Sequence, residues 1–290
     1  MDENLTTILK SKTKQVKINR SKPTVLIGER INPTGRKKVL QALKEGNFDM
    51  VRQDAIAQVN AGAAVLDVNA GVPGADEPAL LSKVMQAVMD AVDVPLSIDT
   101  ANPRALEAAL SLYEGKALVN SVNGEEDSLA AVLPLVKDHN AAVIGLCMDD
   151  DGIPATPEGR LSVAEKILDR AARLGIPPED VIIDPLVLTM GADHHAGMIT
   201  MKTAELISRK LHVNLTMGAS NASFGLPNRK VLNIAYLTIA IYAGITCPIT
   251  NPMVPEIAQA VLAADLILGR DEYSMRWIKD YRKRKKAAAG

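Results

Sequence analysis

Cysteine is scarce: Cys147 and Cys247 are the two thiols in 290 residues, and both lie inside apolar, strand-like runs. Neither has the paired spacing of a disulfide framework or zinc ribbon, and a reducing, cytoplasmic setting fits such a chain. An excess of either charge is also missing. Lys and Arg number 33 against 34 Asp and Glu, so no global basic field exists to hold a nucleic-acid backbone, and the expected partner is a small molecule or a protein. Histidine is rare too. His139, His194, His195 and His212 are the four, the adjacent pair diverges on a regular strand or helix, and no cysteine stands at ligand spacing, so no metal is expected. Gly-x-Ser-x-Gly elbows and glycine-rich phosphate fingerprints are absent, and Cys147 precedes Met148 and three aspartates with no histidine nearby, which leaves a buried structural thiol.

No clean membrane span is present either. Val231 to Ile249 approaches spanning length but contains Asn233, two threonines, Gly244 and Pro248, which suits a buried helix followed by a buried strand. The opening MDENLTTILKSKTK has early acidic residues and no continuous apolar core, unlike a secretory signal. The closing YRKRKKAAAG reads as a frayed, solvated basic terminus.

What the chain does have is repetition. Eight short apolar runs, at 25–31, 65–70, 95–100, 117–123, 142–148, 181–187, 214–220 and 247–252, alternate with amphipathic stretches of helical length. In RLSVAEKILDRAARLG, for example, Leu161, Ala164, Ile167, Leu168, Ala171 and Leu174 form one stripe, ended by Gly175 and Pro177. Strands this apolar, each followed by a helix, imply a parallel sheet covered by helices. Eight units in roughly 250 residues fit an α/β fold of the closed (β/α)8 TIM-barrel type, in a single domain. Residues 1–22 read as an N-terminal extension and 23–290 as the barrel.

Polar residues gather at one end of these strands. Glu29, Asn32, Asn69, Asp99, Asn120, Asn123, Asp149, Asp184, Asn221 and Asn251 all fall at or near a carboxyl terminus. Those ends converge on one mouth in a barrel, where active sites of the fold are built. The ring is acidic and amide-rich with few cations, so it suits a flat heterocycle bearing several N–H donors better than a phosphate. Asp99 and Asp184 are the carboxylates whose paired oxygens match an amino-pyrimidinone edge, and Asn120 and Asn221 can read ring carbonyl and nitrogen positions. An Asp before Thr or Pro also caps helices and turns, so capping stands beside ligand binding for each of them. Asn69, Asn123 and Asn251 have loop-shaping as their alternative, Asp67 reads as a buried structural acceptor, and Glu29 can pair locally with Arg30.

VLIGERINPTG, LDVNAG, SIDT, LVNSVN, VIIDP and GASNASF with the later PNR, in that order from Val25 onward, resemble the pterin-binding methyltransferases. That family includes the methyltetrahydrofolate:corrinoid methyltransferases and the folate module of cobalamin-dependent methionine synthase. The resemblance implies that Asp99, Asn120 and Asp184 hold the pterin ring of tetrahydrofolate or 5-methyltetrahydrofolate, that Asn221 lies beside N5 as the catalytic amide, and that Arg229 sits near the folate. Phe224 stands where the family often has a polar residue, and Glu29, Asn69, Asn123 and Asn251 complete the implied surroundings. It further implies a cobalamin or other corrinoid carried on a separate protein, since no segment looks like a corrinoid-binding module, and a homodimer. Related dihydropteroate synthases share the barrel, but their opening motif and lysine-bearing loop are not found. A synthase of that type and a non-catalytic folate-binding subunit are the alternative functions.

Overall fold

A computed structural model of the chain describes residues 5–288. An antiparallel hairpin, β1 (Thr7–Lys10) and β2 (Gln15–Ile18), precedes β3 (Ile27–Ile31) and the helices α1 (Lys37–Lys44) and α2 (Asp49–Asn60). Strands and helices then alternate: β4 (Val65–Asn69), α3 (Glu77–Ala91), β5 (Leu96–Asp99), α4 (Pro103–Leu112), β6 (Leu118–Asn123), α5 (Glu126–Asp138), β7 (Ala142–Leu146), α6 (Pro157–Arg173), β8 (Val181–Asp184) and α7 (Ala196–Leu211). The order closes with α8 (Arg229–Ala243), β9 (Ile249–Thr250), α9 (Pro255–Ile267) and α10 (Met275–Ala288). Strands β3 to β9 form one parallel sheet in the order β8-β7-β6-β5-β4-β3-β9.

The seventh stave in chain order, expected as a strand over 214–220, is reduced to the segment 214–218. It makes only single bridges, Leu215 to Ile183 and Gly218 to Ile249. Hydrogen bonds on both flanks still seal the barrel: Thr216 N–H donates to Ile183 O (3.0 Å) and Ile249 N–H to Met217 O (2.9 Å). Pro248 faces β3 on the other flank, where its carbonyl accepts from Ile27 N–H (3.1 Å) and where it has no N–H to add to the ladder. The same residue shortens the expected strand at 247–252 to β9.

Side chains alternate across each strand, which divides the core in two. Leu66, Val68, Leu96, Ile98, Val119, Val143, Val181 and Ile183 face the helices. Ile27, Val65, Leu118, Ala142, Ile144, Ile182 and Ile249 fill the barrel interior. Leu9 and Ile18 of the hairpin join that inner cluster, both fully buried. The hairpin therefore stoppers the amino end of the barrel, stitched on by Asn214 Nδ2, which donates to Thr7 Oγ1 (3.0 Å) and Ile18 O (2.9 Å), and by reciprocal backbone bonds between Lys10 and Lys116. Residues 1–22 thus contain an element packed into the barrel; residues 1–4 lie outside the described ones.

The chain's end corrects one expectation. α10 carries the basic run to Ala288 as helix, because the Asp271 carboxylate accepts from the N–H groups of Arg276 and Trp277 (both 2.9 Å), and Arg284 pairs with Asp280 one turn back (2.7 Å). Ala289 and Gly290 lie outside the described residues. Among the described residues, no helix is long and apolar enough to cross a membrane.

Candidate functional site

The inward-facing positions change character from bottom to top. Along β4, Val65 points inward, and two residues on so do Asp67 and then Asn69; along β5 the inward pair is Ser97 and Asp99; β6 runs from Leu118 to Asn120. The register sets Asn69 beside Asp99 and Asp99 beside Asn120, so three expected residues form one row across neighbouring strands. Asp184 ends β8 in register with Leu146, which in turn stands beside Asn123. A one-residue slip in any of these strands would turn its polar end into the helix layer.

Within the row each group is oriented by another. Asn69 Nδ2 donates to Asp99 Oδ2 (3.1 Å), while Asn69 Oδ1 accepts from Gly71 N–H (2.8 Å). Below them Asp67 Oδ1 accepts from Ser97 Oγ (2.7 Å) and Asn120 Nδ2 (3.0 Å), which leaves the Asn120 carbonyl for other use. Burial pushes the carboxyl groups of Asp67 and Asp99 well above the ordinary range, and the charge of Asp67 adds to the shift of Asp99. Asp184 is pushed up to about 7 by burial, opposed by the amides of Leu186 and Gly218 and by the charge of Arg160. Glu29 is raised by burial as well. Its pairing with Arg30 is not realised as an ion pair; Glu29 Oε1 instead accepts from Ser220 Oγ (2.9 Å).

A cavity of about 480 Å³ opens beside the ends of β5 and β6, lined by Asp99, Thr100, Asn120, Ser121, Asn123 and Glu125 on its polar side. That volume suits a bicyclic heterocycle with room to spare. The peptide between Asn120 and Ser121 on its wall is cis.

Asn221 sits in a short 3₁₀ turn, Ala219–Ser223, on the rim. It is solvent-exposed, and its amide makes no hydrogen bond to another described residue. A Cβ at Gly218 would come within 2.9 Å of Asn221 Nδ2 and displace that exposed amide. Gly225, at φ +76, turns the chain toward α8. Arg229 folds back on this turn: its Nε donates to Ser223 Oγ (2.9 Å), its Nη2 to Ser220 O (2.9 Å), and its guanidinium lies 4.6 Å from the Phe224 ring centroid. Asn123 and Asn251 shape loops, Oδ1 accepting from Glu125 N–H (3.0 Å) and Met253 N–H (3.1 Å) respectively. The capping alternative is also realised in part at Asp184, whose Oδ1 accepts from Leu186 N–H (2.8 Å).

Asp67 is the buried acceptor expected of it, and Arg160 is a residue of the mouth that the strand ends do not announce. Asp67 was detectable from the period-2 alternation, as it lies two residues before Asn69. His194 and His195 do not diverge as expected: in the turn before α7 their ring centroids are 3.8 Å apart. Among the described residues no group of three or more His, Cys, Asp or Glu could hold a metal ion. Burial raises both thiols, Cys247 to about 12, so neither is poised to react.

Against this geometry the relatives can be placed. The family model for pterin binding enzyme matches residues 28–251, which spans every strand of the parallel sheet except one residue of β3. The chain is 32% identical over 265 residues to the Methylcorrinoid:tetrahydrofolate methyltransferase of Eubacterium limosum, covering 90% of this chain and 97% of that protein. It is 30% identical over 266 residues to the Methionine synthase of Mycobacterium tuberculosis, covering 85% of this chain but 22% of that longer protein. Among solved structures, 7,8-dihydropteroate synthase from Vibrio fischeri superposes with a TM-score of 0.68 at 19% identity, over 91% of this chain and 99% of that one. Yersinia pestis DHPS gives 0.66 at 15%, over the same shares, and both show the shared barrel. The chain belongs to the pterin binding enzyme family.

Proposed function

We propose that this protein is a methyltransferase that moves a methyl group between N5 of tetrahydrofolate and the cobalt of a corrinoid carried by a separate protein. The observation that carries the reading is the row of Asn69, Asp99 and Asn120, with Asp184 across the mouth. Asp99 and the Asp67 beneath it are bonded by the amides of Asn69 and Asn120 and by no cation, and Asp99 and Asn120 line a cavity of fitting size. Carboxylates so placed are stabilised in their ionised form by N–H donors of a ligand. The amino-pyrimidinone edge of a pterin supplies them in pairs, and the Asn120 carbonyl is free to accept one more. The relative from Eubacterium limosum, whose name joins methylcorrinoid and tetrahydrofolate, supports the choice of both substrates.

N5 of methyltetrahydrofolate is a poor leaving group unless it gains a proton or a strong hydrogen bond as its bond to the methyl carbon breaks. Asn221 is the residue we assign to that task. Its amide is unengaged within the fold, and its N–H can strengthen a bond to N5 as charge develops there. The corrinoid, when bound, supplies the cobalt centre that accepts or returns the methyl group. Exposed Ile153, Leu188 and Phe224 on the adjoining loops give the rim an apolar sector against which the partner's macrocycle can rest.

Titration of the purified chain with methyltetrahydrofolate, with and without Co(I) cobalamin, tests the assignment. Saturable binding and cobalt methylation are expected. Binding without transfer would leave a folate-binding subunit, and pteroate formation from a pterin pyrophosphate would indicate the synthase class. Asn221→Ala is expected to lower turnover about 100-fold or more while folate affinity changes little; equal losses in both would reduce Asn221 to a binding residue.

The same reading includes a homodimer. An apolar groove between α8 and α9, lined by Thr238, Ile239, Tyr242, Ala264, Ile267 and Leu268, leaves Tyr242 77% and Ile267 80% exposed. Such a face is suited to burial against a second copy. Sedimentation equilibrium of Tyr242→Arg should show a shift toward monomer relative to the unaltered chain; a monomeric unaltered chain would end the proposal.

A further inference from the structure

We propose that Arg160 is the positioning residue of the mouth: its buried guanidinium holds the turn that carries Asp184 and provides the one positive charge, among the described residues, that faces this carboxylate. The inference rests on the folate reading of the site.

Arg160 lies in the first turns of α6 and is 1% exposed, among the largest fully buried side chains. Its contacts are three carbonyls. Nη1 donates to Pro185 O (2.8 Å) and Leu186 O (2.9 Å), and Nε donates to Pro154 O (3.0 Å). A buried cation without a directly bonded carboxylate is costly to keep, and carbonyls compensate only in part. The three carbonyls belong to two different mouth loops. Pro154 is in the loop after β7, beyond the Asp149–Gly152 turn, and Pro185 and Leu186 follow β8.

Leu186 explains why such a clamp is needed. Its φ is +64, in the left-handed region that a branched L-residue disfavours. The residue is held at both ends: its N–H donates to Asp184 Oδ1 (2.8 Å), and its carbonyl accepts from Arg160 and from Thr200 Oγ1 (3.0 Å) on α7. Releasing these carbonyls would free the backbone to turn, and the N–H that the Asp184 carboxylate accepts shares its peptide with Pro185 O, which Arg160 also holds.

The charge acts on the same residue. The titratable groups facing Asp184 are Cys147 just after β7, Arg160 from α6, Tyr236 from α8 and Cys247 just before β9. Burial raises both thiols and pushes the Tyr236 phenol up to about 12, so these three are neutral near pH 7. Arg160 alone of the four is charged, and it offsets the burial that disfavours the ionised carboxylate.

The test compares Arg160→Met, Arg160→Lys and Thr200→Val in the full chain. The Asp184 carboxyl is followed by ¹³C NMR across pH, assigned with Asp184→Asn, and methyltetrahydrofolate affinity is measured over the same range. Arg160→Met should move the Asp184 midpoint upward by about one pH unit or more, and the binding profile should move with it, so that a loss of about tenfold near neutrality recovers in alkali. Arg160→Lys, which keeps the charge but not the fork, should keep the midpoint and lose affinity equally at every pH. Thr200→Val should behave like the lysine variant with a smaller loss. An unmoved midpoint in a folded Arg160→Met chain overturns the charge role. Full affinity in Arg160→Lys overturns the clamp, and that variant decides alone if the methionine chain does not fold. Failure of the unaltered chain to bind methyltetrahydrofolate would defeat the folate reading while leaving the NMR midpoints to judge Arg160.

Discussion

Carboxylates are buried at both ends of this barrel, but they are satisfied in opposite ways. At the amino end, Asp180 receives Lys116 Nζ at 2.6 Å on both oxygens. Asp265 receives the N–H and hydroxyl of Thr24 (3.0 and 2.7 Å) and Arg276 Nη1 (2.8 Å), with Arg270 at 3.7 Å. At the carboxyl end, Asp67, Asp99, Asp184 and Glu29 receive only amides and hydroxyls. The charges at the closed end complete the fold from within. Those at the open end remain under-compensated until something with donors enters, which is the physical meaning of a preformed site.

The largest effect should come from breaking the closed end. Asp265→Ala leaves the buried Thr24 N–H and the guanidinium of Arg270 without their acceptor, and loss of one partner from a buried charged network costs about 3–5 kcal/mol. Urea unfolding should show that loss, while folate affinity of the chain that remains folded stays near its original value. A comparable loss of affinity would mean that the two ends are mechanically coupled and that the contrast drawn between them is false.

Much of this contrast can be read from the sequence because strand side chains alternate. Val65, Asp67 and Asn69, or Ser97 and Asp99, need only a period of two and a direction to place a polar layer above an apolar one, and the ordered motifs supplied the direction. Other features depend on partners remote in sequence. Arg160 looks like any helix-start arginine, and its role arises from carbonyls 25 and 26 residues away. The hairpin in residues 1–22 has the same alternation, with Thr7 and Leu9 buried, but two short strands do not reveal that a barrel end awaits them. The stave at 214–218 keeps backbone bonds to both neighbours yet pairs only through single bridges, which no local pattern in its sequence announces.

The smaller effect, and the sharper one, concerns Asp99→Asn at the open end. Burial and the charge of Asp67 raise the native pKa of Asp99 above its unfolded value of about 3.9. The native state therefore binds more protons than the unfolded chain between those two values, so stability falls as pH rises through that window. Below it, where Asp99 is protonated in both states, asparagine should change stability little. Above the raised native value the substitution should stabilise the ligand-free protein, because it removes a charge that the fold does not neutralise. Folate binding should move the other way, weakening by about 10- to 100-fold at pH 8, where the charged acceptor is lost. Thermal unfolding at pH 5 and pH 9 with a binding isotherm at pH 8 checks both halves. A variant that loses stability at pH 9 along with affinity would show that Asp99 is satisfied within the fold, as the acids of the closed end are, and not held open for a ligand.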